Sequence, residues 1–378
     1  MDALDAHHAE AKRARMGARS RSSQKTLEAR SKLIESSVAV VIVNYRTPDL
    51  AKNCVKALAK ERSAFRHLVA ALVDGGSDDG SAEALSRFAG EPEFDSWVEF
   101  IALPVNGGFG WANNQAIQRL LRRNDPPEYL YLLNPDAEVE PGAATHLARY
   151  LDSHARVAAV GSQLIETDGS LSGSAFRFPS IRTEFARGAR TALLERLFRV
   201  KPIPINVSDA AEVDWVTGAS VMLRAAALRE VGLFDEGFFL YYDEVELMWR
   251  LRKAGWAIAT EPKSRVRHVG GAATGVHSSN RRSLHRNPLY LYRSRTRFFG
   301  LSRGRLMTVA AFAAWMAGNT VWKARRLLRL ADRGRDAKHE LHDHLTKAFP
   351  RHHDFQPAIA RADGDPSEAP AWKENGWL

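Results

Sequence analysis

The feature that most restricts the fold of this chain is an alternation of short apolar runs and helix-like segments up to Asp136. Val38-Ala39-Val40-Val41-Ile42-Val43 is continuous and rich in β-branched residues. A run apolar on both faces marks a strand buried on both sides, the habit of a parallel sheet. Thr47-Pro48-Asp49-Leu50 then opens a helix over 50–58. A second strand over 68–73 ends in the turn Asp74-Gly75-Gly76-Ser77-Asp78-Asp79-Gly80, after which Ser81 starts another helix. A third strand over 98–103 is followed by the loop Asn106-Gly107-Gly108-Phe109-Gly110 and a helix over 111–122. A fourth strand over 129–133 is stopped by Asn134-Pro135-Asp136. This rhythm predicts an α/β domain with an open, mostly parallel, Rossmann-like sheet and helices on both faces. Ligands of such sheets sit beyond the carboxyl ends of the strands. The four polar turns are therefore expected to converge on one rim.

The second half is less regular. Strands are expected over 157–165 and 213–224, a helix over 243–254, short strands over 258–260 and 266–269, and a basic helical tail from Asn287 to about Ala331. The reading divides the chain into a flexible basic arm (1–36), the α/β domain (37–280), a basic helical extension (281–335) and a poorly packed tail (336–378). The 378 residues are 45% hydrophobic and 26% charged, which excludes a disordered or collagen-like chain. A single cysteine, Cys54, excludes an intrachain disulfide framework and a cysteine-rich zinc site, and fits a reducing compartment. The first residues are basic but lack the apolar core of a secretory signal. The stretch nearest to a spanning helix runs uncharged from Leu306 to Trp322, contains Gly318 and Asn319, and falls short of one. It is flanked by cations. The segment 281–335 has 14 Lys and Arg against one acid, a net +13 that exceeds the whole chain's +10. Such a patch suits an anionic partner, such as a membrane face, a phosphorylated lipid or nucleic acid.

Four clusters can carry chemistry. Asp74 can accept from a base N–H or a ribose hydroxyl, although Asp-Gly-Gly-Ser is also a common tight turn. Asp136 can hold Mg²⁺ or Mn²⁺ beside a diphosphate, or Asn134-Pro135-Asp136 can be only a β-turn. Asp243, Glu244 and Glu246 follow the large apolar and aromatic residues Phe238 to Tyr242. Acids at a helix start match its dipole, but a carboxylate in apolar surroundings also suits a general base. His268 lies among Lys263, Arg265, Arg267 and a Gly270-Gly271 pair, a setting for phosphate or metal contact.

The order and spacing of these clusters resemble the inverting glycosyltransferases of family 2, and within them the bacterial rhamnosyltransferase-like branch that builds cell-envelope polysaccharide. The resemblance spans about Val38 to Arg297. Besides the turns above it rests on Asp214-Trp215-Val216-Thr217-Gly218-Ala219, Gly232-Leu233-Phe234-Asp235-Glu236-Gly237-Phe238-Phe239, Tyr242-Asp243-Glu244-Val245-Glu246-Leu247 and Arg267-His268. It implies a GT-A fold. It also implies a nucleoside-diphosphate sugar donor, dTDP- or UDP-linked, held by Asn44, Tyr45, Asp74, Gly76, Ser77, Asn106, Gly107, Gly108 and Asn134. Gly218 and Ala219 would border sugar and acceptor. Asp136 and His268 would serve Mg²⁺ or Mn²⁺, and Glu244 or Asp243 would be the base. Three departures stand out: Gly75 replaces the usual Asn, Asn134 replaces the first metal-motif acid, and the family's Glu-Asp is inverted to Asp243-Glu244. Alignment favours Glu244, with Asp243 as competitor.

The expected reaction is a single in-line displacement that inverts the anomeric carbon, with rhamnose as the favoured sugar. The acceptor would be a glycan or a lipid-linked glycan in cell-envelope synthesis. The expected location is cytoplasmic, peripheral at the inner face of the plasma membrane. Alternatives are another hexose or galactofuranose, or a GT-A-fold binding protein without turnover. Nucleic acid is disfavoured because no recognised motif accompanies the basic segment.

Overall fold

The computed structural model describes residues 33–197, 203–205, 207–269, 286–330 and 339–373. The arm call therefore lies almost wholly outside the described residues, as do Gly270, Gly271 and both ends of the basic segment 281–335. Ile34 already belongs to the domain: it is buried, and its amide donates to Ala64 O at 2.9 Å.

The described residues form twelve strands: β1 (Val38–Asn44), β2 (Leu68–Asp74), β3 (Val98–Ala102), β4 (Tyr129–Leu133), β5 (Ala137–Val139), β6 (Val157–Ile165), β7 (Ala175–Phe176), β8 (Pro204–Ile205), β9 (Ala211–Val213), β10 (Trp215–Val216), β11 (Ser220–Arg224) and β12 (Ala257–His268). The main sheet runs β3-β2-β1-β4-β11-β6-β12-β5, with β9 also on β12. The first four strands are parallel, β11 enters antiparallel between β4 and β6, and β12 is parallel to β6. β10, β7 and β8 form a small antiparallel sheet. This is the mostly parallel sheet that the strand and helix rhythm predicts. Both faces of the sheet are packed: Val40, Ile42, Leu72 and Tyr131 point into one apolar cluster, and Val41, Val73, Leu130 and Leu132 into the other. Alternate residues of each strand thus feed opposite layers, which explains the unbroken apolar runs.

Two expected elements differ. The stretch 213–224 is not one strand: Thr217-Gly218-Ala219 interrupts it, and β11 starts only at Ser220. The two short strands near 260 and 268 are one strand, β12, whose pairing with β6 shifts register between Glu261 and Arg265.

The basic extension is the helix Leu289–Leu327, kinked at Gly304, whose φ is 78°. Its second half buries Thr308, Ala311, Trp315, Gly318, Asn319 and Trp322 at helical spacing against the helix Ile181–Ala189. Contact is close enough that a Cβ on Gly318 would lie 2.2 Å from Phe185 O. No helix among the described residues is long and apolar enough to cross a membrane. The basic patch is also less exposed than its composition suggests. Arg293, Arg295 and Arg297 are buried, with Arg295 paired to Glu184 and Arg297 to Asp235. The expectation of a poorly packed tail is corrected as well. Residues 339–373 include the helix Glu340–Lys347, and the segment beyond it runs back over the α/β domain, burying Ala362 and Trp372.

Candidate active site at the carboxyl rim of the sheet

Pairing fixes where the motifs end. Asn44 at the end of β1 is level with Asp74 at the end of β2, and β4 lies on the other side of β1. Because β11 runs antiparallel to β4, its beginning meets the end of β4: Ser220 pairs with Leu133, and Asn134 N donates to Ala219 O at 2.9 Å. Gly218 and Ala219 are thus brought beside Asn134 and Asp136.

Asp74 is almost fully buried, and its carboxylate is already engaged. Asn44 Nδ2 donates to Oδ1 at 2.9 Å, Ser77 Oγ donates to Oδ1 at 2.6 Å, and Ser77 N donates to Oδ2 at 3.0 Å. Asn44 Oδ1 in turn accepts from Thr47 N and Thr47 Oγ1, both at 3.1 Å. The Asp74 cluster therefore ties the first two turns together, and only its remaining lone pairs can meet a ligand. Gly76 is required here: its φ is 72°, and a Cβ would lie 2.5 Å from the Val105 carbonyl carbon. Sequence reasoning missed Arg46. Its φ is 59°, its amide donates to Ser77 Oγ at 2.9 Å and its Nε to Ser77 O at 3.0 Å. It thereby puts a cation on the same turn.

The loop Asn106–Gly108 reaches the opposite wall. Asn106 Oδ1 accepts from Gly108 N at 3.1 Å. Gly108 has φ 87°, and a Cβ there would sit 1.8 Å from Phe239 O, the atom that accepts Phe109 N at 3.1 Å. Asn114, on the helix Phe109–Leu121, binds the same wall: its amide accepts from Phe234 N and donates to Phe234 O and Glu236 Oε1. Two consecutive residues in the left-handed region, Tyr241 (φ 66°) and Tyr242 (φ 64°), then turn the chain into the helix Asp243–Lys253.

Asp243 is 2% exposed, and its Oδ2 lies 3.2 Å from where a Gly110 Cβ would be. Glu244 is less enclosed and faces Gly218 and Phe109: a Cβ on Gly218 would stand 3.8 Å from Glu244 Cβ and 2.9 Å from Phe109 Cζ. Burial pushes both carboxyls above the ordinary carboxylate range. Glu244 is raised further by the Asp243 charge and by the hydrogen bond between the two side chains. Two buried oxygens, Asp243 Oδ2 and Glu244 Oε2, have no hydrogen-bond partner within the protein. Glu246 takes a different part. It is buried and clamps Arg250 through Nε at 2.8 Å, so it is structural.

On the other side of Asn134, His268 Nε2 lies 3.2 Å from Asp136 Oδ1 and 3.4 Å from Asn134 Nδ2. β5 and β12 create this contact by pairing His268 with Ala137. No cluster of three or more His, Cys, Asp or Glu side chains occurs among the described residues. One carboxylate and one imidazole fit a divalent ion that takes its other ligands from a diphosphate and water. Cys54 is buried behind Asn134, its Sγ 3.5 Å from Asn134 O, and burial raises its thiol pKa. It is not a nucleophile.

A chain of contacts thus runs round the rim: Asn44 and Asp74, Gly76 to the backbone beside Asn106, Gly108 to Phe239, Glu244 to Gly218, Ala219 to Asn134, and Asp136 to His268. Residues 39–208 match the family described as Glycosyl transferase family 2. The chain is similar to N-acetylglucosaminyl-diphospho-decaprenol L-rhamnosyltransferase of Mycobacterium tuberculosis, 28% identical over 234 residues, 58% of this chain and 73% of that protein. It is also similar to rhamnosyltransferase WbbL of Escherichia coli, 23% identical over 150 residues, 39% of this chain and 55% of the other. Among solved structures, a mannosyltransferase of Pyrobaculum calidifontis in complex with GDP-Man and Mn2+ overlaps 78% of this chain and 76% of its own, with 14% identity and a TM-score of 0.49.

Proposed function

From the premise that this chain is a glycosyltransferase with a family 2 domain, we propose that it transfers rhamnose, with inversion, from a dTDP- or UDP-linked donor to a lipid-linked or polysaccharide hydroxyl. The observation that carries the proposal is the buried, adjacent carboxyls of Asp243 and Glu244, set across Gly218 and Ala219 from Asn134, Asp136 and His268. That arrangement supports a base on one side of the transferred sugar and a diphosphate site on the other.

Glu244 is the base in this reading, because it is the less enclosed of the pair. In its deprotonated form it takes the acceptor hydroxyl's proton. The hydroxyl oxygen bonds to the anomeric carbon, while the bond from that carbon to the diphosphate oxygen breaks and its electron pair leaves with the nucleoside diphosphate. Asp243 sets the proton affinity of Glu244. Asp136 and His268 would hold Mg²⁺ or Mn²⁺, which when bound offsets negative charge on the leaving diphosphate. Arg46 and the glycine backbone at Gly107 and Gly108 would order the donor.

A lipid-linked acceptor fits the names of the relatives. It also fits the outer surface of the kinked helix. Leu306, Val309, Leu327, Leu328 and Leu330 are exposed beside Arg305, Lys323 and Arg329, a pattern suited to the interface of an anionic membrane. The test is transfer and thermal shift with dTDP- and UDP-sugars, with and without Mn²⁺, since a ligand of the folded state raises its apparent stability. Stabilisation and turnover by dTDP-rhamnose are expected. Turnover confined to another sugar would overturn the rhamnose assignment, and absence of transfer from every donor would overturn catalysis.

A further inference from the structure

The C-terminal segment meets the rim at the loop Asn106–Gly108, expected to line the donor pocket, and at the segment 236–239 that leads to Asp243 and Glu244. Trp372 is 3% exposed. Its indole Nε1 donates to Gly107 O at 2.8 Å, its amide donates to Glu236 O at 3.1 Å, and its ring stands edge-on to Phe239 with centroids 5.0 Å apart. Ser367 ties the helix Phe109–Leu121, which follows the first loop, to Glu236 in the second. It accepts from Trp111 Nε1 at 2.8 Å and donates to Glu236 Oε2 at 2.8 Å, while its carbonyl accepts from Gln115 Nε2 at 3.0 Å. Trp111 also lies against Gly107, where a Cβ would meet its ring at 2.0 Å.

The two Trp372 bonds go to the backbone of two loops rather than to an apolar core. Their targets are Gly107, next to a residue at φ 87°, and Glu236, just before the turn whose Phe239 O accepts Phe109 N. From Phe239 the chain needs only the strained pair Tyr241 and Tyr242 to reach Asp243 and Glu244. The tail is itself anchored. Arg297 binds Asp235 Oδ1 through Nε at 3.0 Å and His353 O through Nη1 at 2.7 Å, and Ala358 N donates to Asp235 Oδ2 at 2.8 Å. Pro366 and Pro370 restrict the backbone beside Ser367 and Trp372.

We infer that Trp372 and Ser367 are positioning residues of the active site: they clamp the donor loop Asn106–Gly108 to the segment 236–239 and so set the distance from donor to base. The inference rests on the transferase reading for its kinetic consequence. Its structural part, the clamping of one loop to the other, stands independently of any reaction.

The experiment compares full-length Trp372→Ala, Trp372→Phe and Ser367→Ala with the parent chain. Hydrogen exchange is followed at residues 106–110 and 236–243 and in β1 to β4, and donor KM and kcat are measured per folded molecule. Trp372→Ala should speed exchange at least ten-fold in both loops and leave β1 to β4 unchanged. It should also lower kcat at least ten-fold, because misplacing reacting groups by about 1 Å can cost on the order of a hundred-fold. Trp372→Phe keeps the ring against Phe239 but loses the bond to Gly107 O, and should fall between. Should Trp372→Ala fail to fold, the same readouts on Trp372→Phe and Ser367→Ala decide. Unchanged exchange in both loops refutes the clamp even if the parent chain transfers no sugar. Faster exchange with unchanged kcat and KM refutes the positioning role.

Discussion

Replacing Glu244 by Gln tests the assignment of the base with little disturbance of the fold. The amide is nearly the same size as the carboxyl and can donate to Asp243, so the packing beside Gly218 is kept. What is lost is the ability to accept a proton. General base catalysis typically contributes about 10²–10⁴-fold. At about 1.36 kcal/mol per decade this is roughly 2.7–5.4 kcal/mol of barrier. Initial-rate assays at saturating donor should therefore show kcat reduced by about two to four decades with donor KM little changed. Asp243→Asn acts differently. It removes the charge that, after burial, does most to raise Glu244. The active form is the deprotonated one, so parent activity is lost as pH falls through the raised apparent pKa of the pair. Removing the Asp243 charge should shift that loss to lower pH with a smaller change in the plateau rate. A macroscopic value belongs to the pair, so the two profiles must be compared rather than one fitted alone. The reasoning is refuted if Glu244→Gln keeps the parent kcat, or if Asp243→Asn is the variant that loses two or more decades.

The same pair makes a prediction about stability. A carboxyl whose pKa is higher in the folded chain than in the unfolded chain favours folding when protonated, and that contribution is lost as pH rises through the folded value. Denaturant melts at neutral pH should then show Glu244→Gln more stable than the parent, by about 0.5–2 kcal/mol, the usual gain when a functional strain is removed. Gly108→Ala forces a side chain into Phe239 O at a φ of 87°, and should lower both stability and donor affinity, read by melting and by equilibrium binding. Asp136→Asn removes the carboxylate of the proposed ion site and should weaken Mn²⁺-dependent stabilisation by nucleoside diphosphate at least ten-fold in thermal-shift titrations. Arg297→Met leaves Asp235 buried without its ion partner, and should cost about 3–5 kcal/mol by denaturant melting.

The parallel half of the sheet was legible because its physics is local. Runs such as Val38 to Val43 can be satisfied only by burial on both faces, and the polar turns after them must lie on one rim. The rim motifs were legible for a related reason: Gly76 and Gly108 occupy positions where the structure leaves no room for a Cβ. Asp74 was read only in part. Sequence showed a carboxylate able to meet a base, but not that Asn44 and Ser77 already engage both oxygens. Arg46 carried no sequence signal, because its place depends on a left-handed backbone that arginine seldom adopts.

The tail was misread for a reason that bears on its role. Residues 356–373 have no periodicity, since they form no long helix or strand and bury mainly isolated residues such as Ala362 and Trp372. Their partners are more than 200 positions away, at Gly107, Trp111 and Gln115, and at separations near 130 for Glu236. Composition also misled in the basic segment, where charge density suggested a solvated patch. Arg295 and Arg297 are instead internal ties to Glu184 and Asp235, each fixing the helical extension to the α/β domain. Asp235 receives both Arg297 and Ala358 N, and it lies next to Glu236, which Ser367 holds. The extension, the tail and the segment leading to Glu244 therefore share one buried junction. Through Arg297 and Asp235 there is an ionic route from the kinked helix, the proposed membrane contact, to the segment leading to Glu244. If that route is used, anionic vesicles should raise kcat in the parent chain and fail to do so in Trp372→Ala, even though both bind the vesicles equally. An equal response of the two would leave the junction with a purely structural part.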